Sequence, residues 1–72
     1  MEIIAVTNQG NGVTTYKKVV RNKEIYGMVE QQLTGKWLGV VECEHDLIYQ
    51  EFNCSTQEGA HNLVVRFINK QS

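Results

Sequence analysis

The 72 residues make one domain, and a domain of this length hides only about 60% of the surface that its unfolded chain exposes, so a metal, a disulfide or a partner is the usual source of extra stability. With 42% hydrophobic and 21% charged residues the composition is globular rather than disordered, and no apolar run approaches the roughly 20 residues of a membrane span. A net charge of −1 argues against indiscriminate nucleic-acid binding, and the start Met1-Glu2-Ile3-Ile4 lacks the basic and apolar regions of a secretory leader, so the expectation is a complete small cytoplasmic product.

Residues 2–8, rich in Ile and Val, read as a first strand. Gly10-Asn11-Gly12 supplies the positive φ of a tight hairpin turn, and residues 13–20 (Val, Thr, Thr, Tyr, Val, Val among them) read as its return strand. Arg21-Asn22-Lys23, Thr34-Gly35 and His45-Asp46 are three further turn signals at near-even spacing, which is the mark of an antiparallel meander. Residues 23–33 fit either element. Ile25, Met28, Val29 and Leu33 follow helical spacing, but Gly27 costs about 1 kcal/mol inside a helix, and the segment is read as a strand. Residues 37–44 and 47–53 read as another hairpin around His45-Asp46. The final segment opens with a Ser55-x-x-Glu58 capping box and carries Ala60, Leu63, Val64, Phe67 and Ile68 on one helical stripe, with Val65 off the stripe as a sign of a second neighbour. The expected fold is α+β, a meander of about five strands with one C-terminal amphipathic helix. A helix at residues 23–33 would instead give ββαββα.

A two-residue turn at His45-Asp46 pairs Cys43 with Ile48, Val41 with Gln50, Gly39 with Phe52 and Trp37 with Cys54 on one side of the sheet, the bed for the helix. A two-residue turn at Thr34-Gly35 adds Tyr26 and Met28 to that side. The opposite side then carries Leu38, Val40, Leu47, Tyr49, Ile25 and Val29, edged by Glu42, Glu44 and Glu51. That is more apolar surface than a solvated sheet face normally shows, and it points to protein contact.

Cys43, His45, Cys54 and His61 lack zinc-site spacing, so no metal or cofactor is expected, and the thiols read as small buried residues of a reducing compartment. No phosphate-cradling glycine loop and no paired nucleophile and base emerge, so the chain is read as non-enzymatic. Lys17, Lys18, Arg21 and Lys23 with Tyr16 form a basic-aromatic cluster suited to touching nucleic acid, while no Lys or Arg lies between Trp37 and Val65.

Gly35-Lys36-Trp37, the strand ending at Phe52 and the segment from Ser55 to Ile68 are together similar in layout to the AP2-type DNA-binding domains of plants and phages, three strands and a helix. That family reads DNA with Arg and Trp on its strands. The matching positions here include Glu30, Glu42, Glu44 and Glu51, whose carboxylates repel phosphates, so the family's contacts are not carried over. The reading that follows is a protein-protein interaction domain, a regulator, inhibitor or accessory subunit that self-associates as a homodimer. Its interface is expected at Leu38, Val40, Tyr49, Glu42, Glu51 and Val65. The alternative is a nucleic-acid binder using Lys17, Lys18, Arg21, Lys23 and Tyr16.

Overall fold

The computed structural model describes residues 4–43 and 47–71. Five strands, β1 (Ala5–Gly10), β2 (Val13–Val20), β3 (Lys23–Gln31), β4 (Trp37–Cys43) and β5 (Ile48–Cys54), form one antiparallel sheet in the order β1-β2-β3-β4-β5, and α1 (Gln57–Lys70) lies across it. Residues 23–31 are therefore strand, and the ββαββα alternative falls. Glu44, His45 and Asp46 lie outside the described residues, as do residues 2 and 3 of the expected first strand. The β4–β5 register derived from that turn is the one observed.

The turns are set by backbone chirality. Gly10 pairs with Val13 across Asn11 and Gly12, both at positive φ, and Val20 pairs with Lys23 across Arg21 (φ 52°) and Asn22 (φ 68°). Positive φ at both central positions is the twist that a two-residue hairpin needs. Arg21 adopts it without the freedom of a glycine.

The β3–β4 connection differs from expectation by one residue. Gln32 N–H donates to Lys36 O (2.8 Å) and Gly35 N–H to Gln32 O (2.9 Å), so the loop is Leu33-Thr34-Gly35, closed by Gly35 at φ 87°. Gln31 then faces Trp37, and Met28 faces Val40 rather than Val41. A one-residue change of register moves every side chain of a strand to the other face. Ile25 and Val29, expected on the open face, are buried in the core, while Tyr26 and Met28, expected beneath the helix, lie on the open face.

The helix is capped one residue later than expected. Because β5 runs on to Cys54, Ser55 is a link, and Thr56 is the N-cap, its Oγ1 accepting from Gly59 N–H (3.0 Å). Glu58 remains in the first turn, where a carboxylate complements the helix dipole. Ala60, Val64 and Ile68 point down onto Val29, Val41, Ile25 and Cys43, and all of these are buried. Gly27 and Gly39 let the helix descend this far. A Cβ on Gly27 would meet Val64 Cγ1 at 2.8 Å, and one on Gly39 would meet Val64 Cγ2 at 2.9 Å. Gly27 thus marks a close approach of helix to strand, a role that glycine takes inside sheets.

α1 covers β3, β4 and β5, and the first hairpin extends beyond it. All six residues of β1 are exposed. Among the described residues no helix is long and apolar enough to cross a membrane.

Candidate protein-binding face

The face turned away from α1 follows from the registers. Thr7, Thr15, Met28, Val40 and Glu51 form one cross-strand row. Ala5, Lys17, Tyr26, Glu42 and Tyr49 form the next, and Val13, Glu30, Leu38 and Asn53 the third. No described element lies over these rows. Met28, Leu38 and Val40 are shielded only by one another and their neighbours in the sheet, and each remains half-buried. The centre is therefore aliphatic, and Glu24, Glu30, Glu42 and Glu51 stand around it.

Two aromatic side chains frame that centre, each tied to a carboxylate two residues away on its own strand, the spacing that returns to one face. Tyr49 donates to Glu51 Oε2 (2.7 Å), and this bond pushes its phenol above the ordinary value. Tyr26 donates to Glu24 Oε2 (2.5 Å). Lys17 adds an ion pair to Glu24 (3.3 Å) with its ammonium 5.8 Å from the Tyr26 ring centre. The Tyr26 hydroxyl, and after it Lys17, hold the Glu24 carboxyl below its usual range. Such exposed pairs contribute little stability, but they restrict where the rings can point. Beside Tyr26 a shallow hollow of about 140 Å³ is lined by Tyr26, Gly27, Met28, Val40 and Glu42. A broader one of about 410 Å³ runs on across Lys17, Thr15, Thr7 and Ala5.

Of the interface residues named from the sequence, Leu38, Val40, Tyr49, Glu42 and Glu51 come together on this face. Val65 does not: it is on α1, half-buried and packed against the core on the other side of the sheet. The residues missed were Met28 and Tyr26. Glu24 and Glu30 alternate with Ile25 and Val29, and two carboxylates in the same parity as Tyr26 and Met28 would have assigned that set to solvent whatever the turn.

The basic-aromatic cluster is split between the two faces. Tyr16 and Lys18 are buried on the helix side. The Tyr16 hydroxyl contacts His61 Nδ1 (2.6 Å), and Lys18 Nζ donates to Asn69 Oδ1 (3.1 Å), so both anchor α1 to β2. Burial also raises the Tyr16 phenol above its ordinary value. Lys17 is on the open face, Arg21 is exposed in the turn, and Lys23 is half-buried at the start of β3.

Cys43 is buried and Cys54 half-buried, neither is in a disulfide, and the pairings Cys43–Ile48 and Trp37–Cys54 hold them at opposite ends of the β4–β5 ladder. Among the described residues no group of three or more His, Cys, Asp or Glu could hold a metal ion. No protein-family model, curated protein or solved structure matches this chain.

Proposed function

We propose that this chain is a non-enzymatic protein-binding domain, a regulator or accessory subunit that works through the uncovered face of its sheet. The observation that carries the reading is the contiguous Met28, Leu38 and Val40 surface, flanked by the oriented rings of Tyr26 and Tyr49. Aromatic anchors beside an aliphatic centre are the composition of interface hot spots. Four carboxylates surround that centre, and Lys17 is already engaged by Glu24. The partner that complements it is a protein surface with an apolar centre and a lysine- or arginine-rich margin. A second copy fits less well, because face-to-face packing opposes Glu30, Glu42 and Glu51 to their own kind.

The test is Val40→Glu beside Glu42→Lys in the full chain, read by sedimentation at micromolar concentration and by binding to a partner recovered with the wild type. Val40→Glu, which sets a charge in the apolar centre, abolishes the complex. Glu42→Lys weakens it in a salt-dependent way. A complex indifferent to both substitutions removes the proposal. A wild-type dimer that Val40→Glu dissociates assigns the face to self-association. For nucleic acid the informative pair is Lys17→Glu with Arg21→Glu, since Lys18 belongs to the core.

A further inference from the structure

A second surface lies on the other side of the sheet, where α1 passes the outer edge of β5. Leu63, Arg66, Phe67 and Lys70 recur at i, i+3, i+4 and i+7, so one flank of the helix presents them together above Phe52. They enclose a groove of about 170 Å³. Its floor is the edge-on contact of Phe52 with Phe67, ring centres 5.7 Å apart. Arg66 and Lys70 are exposed on its wall, and neither makes an ion pair with a described residue. β5 is the last strand of the sheet, so its outer edge offers main-chain N–H and C=O groups to an added strand.

We infer that this groove accepts an extended peptide strand that turns an apolar and an acidic side chain, two residues apart, toward the helix. The peptide pairs with the edge of β5, sets one apolar side chain on Phe52, Leu63 and Phe67, and brings a carboxylate to Arg66 and Lys70. Strand addition takes affinity from main-chain bonds and specificity from alternate side chains, the combination present here. The volume suits one side chain, being well below the roughly 300–1,000 Å³ of a small-molecule pocket. Nucleic acid is the rival occupant of Arg66 and Lys70, and the test below includes it. This surface is independent of the open face, and its occupant has the opposite charge.

The experiment is an amide NMR titration of the full chain with an end-blocked hexapeptide in which threonines alternate with valine, glutamate and valine, so that the valines and the glutamate share one face. Companion peptides replace glutamate by lysine, or carry N-methyl groups on alternate amides. The expected result is saturable shifts in β5 and residues 63–70 below about 1 mM of the first peptide, with each companion about tenfold weaker or more. Arg66→Glu combined with Lys70→Glu weakens the first peptide by a similar factor. Both positions are exposed, and an unchanged circular dichroism spectrum shows that the variant folds. Val40→Glu leaves the titration as it was. Equal affinity for the valine–glutamate and valine–lysine peptides, shifts confined to β1 or to the open face, or no saturation overturns the inference. So does an oligothymidylate that shifts the groove when the peptide does not.

Discussion

Met28 and Gly27 are neighbours in β3, yet they belong to surfaces with different demands. On the side of Gly27 the helix sits so close that Gly27 and Gly39 must leave room for Val64, and Val29, Val41, Ala60, Val64 and Ile68 are wholly removed from solvent. On the side of Met28 no described element overlies the strands, and the apolar residues are only half-buried and mixed with carboxylates. The same ladder of main-chain bonds therefore supports a surface where shape is critical and a surface where shape is free. The buried core resides in the first, and the second is the face proposed to meet a partner.

Breaking this comparison begins with the glycines. Gly27→Val drives a branched side chain into Val64 and Ile68, and an overpacked core costs about 3 kcal/mol, read as a lower urea midpoint. Met28→Thr, one residue away, shifts the midpoint by less than about 0.5 kcal/mol. A comparable loss from both would mean that the open face is as tightly packed as the covered one. Next in size is Val64→Ala, at about 2 kcal/mol for the cavity left between two strands, against a near-zero change for Val40→Ala.

Tyr16→Phe is smaller again. It removes the hydroxyl from His61 Nδ1 and lowers stability by about 1 kcal/mol, with faster amide exchange at the centre of α1.

The pH response of the open face sharpens the contrast at the low end. Glu24 has its pKa lowered in the folded state, so its contribution is present above the unfolded value near 4.5 and is lost as pH falls through the folded value. Because this group is fully exposed, the effect on stability is slight. The clearer readout is the carboxyl resonance, whose midpoint rises in Tyr26→Phe and in Lys17→Ala. Tyr49 behaves with the opposite sign. Its raised phenol keeps its contribution below the ordinary tyrosine value and loses it as pH climbs through the folded one, and Glu51→Gln lowers the ultraviolet titration midpoint. Midpoints unchanged by these variants would show that the rings are not held as described.

Much of this architecture was legible in the chain, for local reasons. Asn11-Gly12 and Arg21-Asn22 occupy turns whose backbone hand is dictated by strand twist, and the stripe Ala60, Val64, Ile68 repeats with the helical period. The β4–β5 register followed from turn position alone. The candidate face was half legible. Leu38, Val40 and Tyr49 came out on the side they occupy, whereas β3 came out inverted because the loop at Leu33-Thr34-Gly35 holds three residues rather than two. Lys17-Lys18 was legible only as a pair of charges. Pleating sends them to opposite faces, and one ammonium ends beneath the helix on Asn69.

The amino-acid order thus determined which segments extend, where they reverse and that one helix would close the chain, since each depends on dihedral preference and periodicity within a few residues. What tertiary structure alone decided was which side of β2 faces α1. Both sides of β2 carry a lysine and apolar residues, so local pattern leaves the choice nearly balanced, whereas Glu24 and Glu30 mark the solvent side of β3. The helix resolves it by docking where Gly27 and Gly39 leave room, a condition met only when distant strands are already side by side.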